Sequence, residues 1–121
     1  MTARFITAPD KLPQADSEEV HAKILMIDVP WHDISNIAIL CMTKQVKYDF
    51  YLYGPTSIDE EWLNHAVETA EVILINNNEE SDRHIDIKAR LSQSEKALSM
   101  GTSNDTLNVP IDYIIRQLEV E

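Results

Sequence analysis

The chain has 121 residues, and its 21 acidic against 10 basic side chains give a formal net charge of −11. A chain of this length is expected to form one domain. The acidic balance argues against direct contact with nucleic acid, because phosphate binding needs clustered lysine and arginine. No apolar run approaches the roughly 18 residues of a membrane-spanning helix, so no membrane partner is expected.

The first 22 residues differ from the rest of the chain. Pro9 and Pro13 interrupt any helix, and apolar residues are sparse after the sixth position. We therefore predict an extended N-terminal arm over residues 1–22. Its anchor is one basic and two apolar side chains, Arg4, Phe5 and Ile6. The anchor contacts either a neighbouring subunit or the chain's own domain, and the sequence leaves both open.

The rest of the chain, residues 23–121, alternates between strand and helix patterns and is predicted to be a single domain. Short apolar or aromatic runs predict strands at 23–29, 47–54, 71–76 and 96–101. Apolar spacing of three and four predicts helices at 31–44, 57–70, 82–93 and 108–120. The third of these helices is ambiguous, because its apolar residues also alternate as in a strand. A helix is preferred there because a parallel strand must be reached through a crossover.

Caps and buried faces follow from the same patterns. Asp33 is predicted to cap the first helix, and Ser57 with Glu60 forms a capping box for the second. The expected buried faces are Ile34, Ile37, Ala38 and Cys41 in the first helix, and Ile58, Trp62, Leu63, Ala66 and Val67 in the second. Cys41 is therefore read as a core residue rather than a nucleophile. As the single cysteine it cannot form an intrachain disulfide, which indicates a reducing compartment.

The order of elements predicts an α/β fold. We expect a small flavodoxin-like three-layer sandwich with a mostly parallel four-stranded sheet. With the four strand patterns in spatial order 2-1-3-4, a ligand crevice lies between the carboxyl ends of the first and third. The candidate ligand-binding residues there are Asp28, His32, Asn76, Asn77 and Asn78. The asparagines also suit a strand exit and a helix cap, so a structural role stays open.

The residues that several kinds of functional site require are missing from the expected positions. Neither of the two glycines, Gly54 and Gly101, follows the first strand, so phosphate-cradling loops are not expected. A phospho-acceptor receiver domain needs a carboxylate where Asn76 stands. Near His32 no second histidine or cysteine lies at zinc-ligand spacing. We therefore predict no catalytic residue, no metal and no cofactor, and we expect His84 to be a surface or half-buried residue.

Three motifs stand together in the C-terminal half: WLNHAVETAEVILIN, KALSMG and NVPIDYI. The residues that carry the pattern are Trp62, Leu63, Asn76, Lys96, Gly101, Asn108, Pro110, Asp112 and Tyr113. The pattern resembles small, poorly characterised proteins of contractile-tailed bacteriophages. This chain departs from it by continuing 8 residues past Tyr113, and the arm has no counterpart. The resemblance implies a phage protein, as a virion component, with no catalytic residues to carry over.

The expected function is a non-enzymatic protein–protein interaction module. It would be a structural or assembly component of a phage virion, assembled in the host cytoplasm, that docks on neighbouring subunits through its arm. The expected partner-binding residues are Arg4, Phe5 and Ile6 in the arm, with Trp31 and Tyr53 as exposed aromatics.

Two alternatives stay open beside the interaction module. One is a small-ligand or nucleotide-handling domain, similar to nucleoside deoxyribosyltransferases, with a deep pocket at the ends of the first and third strands. The other is an acidic inhibitor that mimics DNA, which needs carboxylates in a spaced stripe on one face.

Overall fold

The computed structural model describes residues 3–12, 22–42, 47–54, 56–76 and 84–100. The elements are β1 (Ala3–Thr7), β2 (Ala22–Ile27), α1 (Trp31–Met42), β3 (Tyr48–Tyr53), α2 (Glu60–Thr69), β4 (Val72–Asn76), α3 (Ile85–Leu91) and β5 (Ala97–Met100). The strands form one sheet in the order β1-β3-β2-β4-β5, and every neighbouring pair is parallel. The predicted flavodoxin-like α/β class is confirmed, with five strands rather than four.

The additional strand comes from the segment predicted as an arm. β1 pairs with β3, and its register sets Arg4 opposite Asp49 and Phe5 opposite Phe50. The anchor residues therefore contact the chain's own domain, which is one of the two partners that the sequence leaves open. A five-residue edge strand followed closely by proline is too short to show a strand period, which is why the pattern missed it.

The remaining four strands have the spatial order 2-1-3-4, which is the order for which the sequence predicts a ligand crevice between the first and third of the four. From β2 the chain passes through α1 to β3 on one side, and it then returns through α2 to β4 on the other. This reversal places α1 against one face of the sheet and α2 and α3 against the other. The winding direction therefore switches between β2 and β4, at the crevice that the order predicts.

Both central strands are buried on both faces. Ile24 and Met26 of β2 pack towards α1, while Leu25 and Ile27 pack towards α2. The same division holds in β4, where all five residues are buried. Strands without a polar face are what a central parallel sheet needs, because helices cover each side.

The helix predictions are partly confirmed. The predicted buried face of α1 is correct at all four positions, Ile34, Ile37, Ala38 and Cys41. Asp33 lies in the first turn of α1 rather than at its cap. α3 confirms the preference for a helix over the ambiguous segment.

The start of α2 corrects two expectations. Asp59, not Ser57, caps this helix, and its Oδ1 accepts a hydrogen bond of 3.0 Å from the backbone N–H of Trp62. Ile58 therefore precedes the helix and is 87 % exposed instead of buried. Ser57 closes the preceding turn, where its Oγ accepts a 3.1 Å hydrogen bond from the N–H of Gly54.

Lys96, just before β5, has a structural task at the far end of α2. Its ammonium group donates to the carbonyl oxygens of Val67 and, at 2.7 Å, of Ala70. A cation at a helix C-terminus satisfies carbonyl groups that have no partner within the helix.

Two other observations complete the fold. The predicted C-terminal helix at 108–120, and Gly101 before it, lie outside the described residues. None of the helices in the described ranges has both the length and the apolar character that crossing a bilayer requires.

Candidate functional site

The crevice at the switch point begins with Asp28, the residue that follows β2. Its φ is 57°, which is the left-handed region, and it is the one non-glycine residue among those described that has a positive φ. Aspartate tolerates this conformation better than most residues, because its short side chain can bond locally. The backbone N–H of Asp28 donates to the carbonyl oxygen of Tyr53 at 2.9 Å. The turn directs a buried carboxyl group across the end of the sheet.

Two side chains, Lys88 of α3 and His84 at the N-cap of that helix, meet this carboxyl group. His84 Nδ1 lies 2.8 Å from Asp28 Oδ1, and Lys88 Nζ lies 2.9 Å from Asp28 Oδ2. Residues four apart share one face of a helix, which brings His84 and Lys88 to the same point. All three side chains are buried. A buried carboxylate is tolerated only when such partners compensate its lost hydration.

The second nitrogen of His84 also has an acceptor. Its Nε2 lies 3.0 Å from the backbone carbonyl oxygen of Ser57, and its ring packs 4.9 Å from that of Tyr53. A carbonyl oxygen can only accept, so the Nε2–H of His84 donates to Ser57, while Nδ1 pairs with the Asp28 carboxyl group. The two contacts together fix the orientation of the ring.

Asn76 joins the cluster from the end of β4. Its Nδ2 donates to the backbone carbonyl oxygen of Asp28 at 2.9 Å. We call the side chains of Asp28, Asn76, His84 and Lys88, with the Ser57 carbonyl, the carboxyl-edge junction. The junction ties together the ends of β2 and β4, the loop before α2 and the first turn of α3.

The polar groups of the junction are buried and contact one another. The Asp28 carboxyl group lies between His84 and Lys88, and the carbonyl oxygens of Asp28 and Ser57 accept from Asn76 and His84. In the described part of the chain, no group of three or more His, Cys, Asp or Glu side chains could hold a metal ion. The thiol of Cys41 lies elsewhere, buried under α1, where burial raises its pKa to about 11. A neutral, buried thiol is a poor nucleophile.

The structure brings together two of the five predicted ligand-binding residues. Asp28 and Asn76 meet in the junction. His32 is exposed on the first turn of α1, and its Nε2 lies 3.4 Å from Nδ2 of Asn36. Asn77 and Asn78 lie outside the described residues.

The sequence reasoning missed two members of the junction, His84 and Lys88. His84 was expected at the surface or half-buried, but it is buried. The available signal was the spacing of His84 and Lys88 by four, which has meaning only once α3 is known to be a helix. Because this segment was ambiguous between helix and strand, the spacing alone could not show that His84 and Lys88 lie on one helix face.

The predicted partner-binding residues have different environments. Arg4 forms a bidentate pair with Asp49, and Ile6 packs against the core beside α2. Phe5 and Trp31 are exposed, and their rings touch. Tyr53 is buried rather than exposed, because its ring stacks on Trp62 and packs against His84.

Comparison with known proteins gives no identity. No protein-family model matches this chain, and no curated protein matches it.

Proposed function

We propose that this chain is a non-enzymatic protein–protein interaction module that serves as a structural or assembly component of a bacteriophage particle. The observation that carries the proposal is an exposed aromatic pair, Phe5 and Trp31. Phe5 is 41 % exposed and Trp31 is 60 % exposed, although both are large apolar side chains. Trp and Phe are enriched at the centres of protein interfaces, where they supply much of the binding energy.

The aromatic pair is held in place by regular structure. Phe5 belongs to β1 and stacks on the buried ring of Phe50, with centroids 5.4 Å apart and planes 19° apart. Trp31 is the first residue of α1, and its ring lies 5.4 Å from that of Phe5. A contact surface fixed on a strand and a helix loses little conformational entropy when a partner binds.

The carboxyl-edge junction also suits a non-enzymatic role. Its carboxylate, imidazole and ammonium groups are bonded to one another and buried. A group that has to abstract or donate a proton must reach a substrate atom, directly or through one water. The junction is better suited to holding four elements in a fixed arrangement.

The phage setting is supported by the resemblance of the C-terminal half. Within that pattern, Trp62 and Leu63 belong to the core and Asn76 to the junction, so each has a structural role here. The remaining pattern residues from Gly101 onwards lie outside the described residues. A virion location follows from this proposal and is tested with it.

Site-specific photo-crosslinking tests the interaction module. A photoreactive phenylalanine analogue replaces Trp31 in the full chain, and a control replaces Gln93, which is exposed in the turn after α3. Irradiation in infected or co-expressing cells should give a discrete adduct from position 31 and none from position 93. Mass spectrometry of the adduct should identify a particle protein or a second copy of this chain.

A substitution gives the quantitative form of the same test. Trp31→Ser should weaken association with the identified protein by about 30-fold, the effect of losing an interface hot spot of about 2 kcal/mol. The interaction module is wrong if position 31 gives no adduct and the purified chain stays monomeric by light scattering.

A second candidate function is small-ligand binding at the switch point. It is favoured by the left-handed backbone of Asp28, because residues in sparsely populated conformations concentrate at functional sites. In this candidate the ligand, of the nucleoside or nucleotide class, would bind over Asp28 and Asn76. A thermal-shift screen of nucleosides and nucleotides at millimolar concentration should then raise the melting temperature of the wild type and not of Asp28→Asn. If no compound shifts the wild type, this candidate fails.

A further inference from the structure

A separate cleft lies beside the start of α2. One wall is formed by the segment after β1 and the other by the loop that precedes α2. The residues that line it are Ala8, Pro9, Thr56, Ser57, Ile58 and Asp59. Its volume of about 240 Å³ is smaller than that of pockets for drug-sized ligands, which start near 300 Å³. We call it the acidic cleft, and its size suits one inserted side chain.

Both walls of the acidic cleft are fixed by hydrogen bonds. Ala8 N–H donates to the carbonyl oxygen of Leu52 at 3.0 Å, and the indole N–H of Trp62 donates to the carbonyl oxygen of Asp10 at 2.7 Å. On the opposite wall, Ser57 is held by two bonds with Gly54 and by the bond from His84. A preformed cleft needs little ordering when it is filled.

The lining combines apolar surface with negative charge. Ala8, Pro9 and Ile58 are apolar, and the side chain of Ile58 is almost fully exposed. Asp59 supplies a carboxylate within the lining. Three exposed acidic residues follow lining residues directly in the chain, Asp10 after Pro9, and Glu60 and Glu61 after Asp59. Among the described residues next to these in the chain, Lys11 is the one basic residue, so the described lining and its chain neighbours carry net negative charge.

The carboxylates near the cleft also act on Tyr53, the residue before Gly54. Burial raises the pKa of the Tyr53 hydroxyl, and the carboxylates of Glu60, Asp59 and Asp28 raise it further. Their field therefore extends beyond their own side chains, and it opposes the formation of another negative charge.

We propose that the acidic cleft receives an arginine side chain from a basic partner protein. The apolar stem of arginine would lie along Ala8, Pro9 and Ile58, and its guanidinium group would meet the carboxylate of Asp59. The inference rests on the proposed interaction module and adds the chemistry of its partner. Charge complementarity with a chain of net charge −11 selects a basic partner and speeds its approach.

The test uses the full chain, labelled with ¹⁵N, and two small probes. N-acetyl-arginine amide carries the guanidinium group, and N-acetyl-citrulline amide is its uncharged analogue. The arginine probe should shift the backbone amide signals of Ala8 and of residues 56–59 in a saturable way, with a dissociation constant in the millimolar range expected for one side chain. The citrulline probe should bind at least 10-fold more weakly.

Two substitutions test whether the carboxylate of Asp59 binds the guanidinium group of the probe. Asp59→Asn removes the carboxylate, yet asparagine is an equally good helix cap, so α2 should be retained. It should weaken the arginine probe about 3-fold, in line with the modest strength of exposed ion pairs. Glu71→Gln is the control. Glu71 is exposed and directly precedes β4, at the amino ends of the strands, so this change should leave the affinity unchanged. Equal shifts from both probes, or no saturable shift at residues 56–59, overturn the proposal.

The outcome separates this inference from the proposed function. If the arginine probe fails while position 31 still gives its adduct, the acidic cleft is not a contact and the interaction module stands. If the probe binds as described and position 31 gives no adduct, the cleft is a cation site and the aromatic pair is not the interface.

Discussion

Asp28 carries two energetic costs at one position. Its left-handed backbone is unfavourable for a residue with a Cβ, and its carboxyl group is removed from water. The contacts with His84 and Lys88 compensate the second cost. The buried, left-handed conformation of Asp28 is therefore stable only when α3 packs against it. The end of β2 thus depends on a helix that lies more than fifty residues later in the chain.

Replacement of Asp28 should expose that dependence. Asp28→Asn keeps a residue that tolerates the left-handed conformation but removes the carboxylate beside the buried Lys88 and His84. The free energy of unfolding should fall by about 3 kcal/mol, because a buried charge without its partner is strongly unfavourable. Urea denaturation measures the change. Asp86→Asn, an exposed change in the first turn of the same helix, should cost less than about 1 kcal/mol.

The thiol of Cys41 gives a prediction for alkaline pH. Burial raises its pKa from 9.0 to about 11, so the folded chain favours the neutral thiol. The resulting stabilisation is complete below pH 9 and is lost as the pH rises from 9 to 11, where the unfolded chain ionises first. The loss should total about 2 to 3 kcal/mol.

Cys41→Ala is the comparison for this prediction. The variant is less stable at every pH because it leaves a cavity, but its unfolding free energy should decline less steeply above pH 9. Urea denaturation at several pH values measures both slopes. Parallel curves for the two proteins would mean that the thiol does not titrate in this way. Burial raises the pKa of Tyr51 and Tyr53 as well, and that effect is common to both proteins.

At the scale of elements, β1 is one of the two edge strands of the described sheet. Within that sheet it pairs with β3 alone. A bidentate ion pair, Arg4 Nε and Nη2 each 2.7 Å from an oxygen of Asp49, fixes its register. The Asp49 side chain is completely buried, whereas that of Arg4 is 46 % exposed. Such an edge strand opens more easily than the central strands do.

Substitution of Arg4 should loosen β1 before the rest of the domain. Arg4→Met leaves the buried carboxylate of Asp49 with fewer donors, so amide exchange in β1 should become at least 10-fold faster. Exchange in β4 should change much less. Arg4→Lys, which keeps the charge without the forked geometry, should lie between. Lys11→Met is the control on the same segment, and uniform acceleration across all strands would contradict local opening.

For the whole molecule, the dominant electrostatic property is the net charge of −11 on 13.8 kDa. Repulsion among like charges opposes compaction, and salt screens exposed charges more effectively than buried pairs. Raising sodium chloride from about 20 mM to about 500 mM should therefore increase the free energy of unfolding by about 1 kcal/mol. Glu61→Lys, an exposed change, should reduce this increase. A decrease in stability with salt would mean that the ion pairs outweigh the repulsion.

Much of the fold could be predicted because its signals are local. The apolar runs of β2 and β4 and the helical spacing of Ile34, Ile37 and Cys41 each lie within one element. Their order then selects a parallel sheet, because each pair of strands needs a crossover. The edge strand β1 escaped prediction, since its pairing with β3 is not encoded within its own five residues.

The candidate site was only half predictable for the same reason. Asp28 follows one central strand and Asn76 ends the other, so both lie at the same end of the sheet once these strands are neighbours. His84 and Lys88 enter the site because α3 packs there, and Tyr53 is buried because Trp62 and His84 enclose it.

By itself, then, the sequence determined the α/β class and the acidic character of the surface, both of which depend on composition and local period. Only the tertiary structure decided the order of the strands, that Asp28 is paired with Lys88 of α3 and His84 at its cap, and that residues 3–7 complete the sheet. The last two depend on contacts between segments more than 40 residues apart, and the energy of such contacts comes from burial and geometry that no local pattern contains.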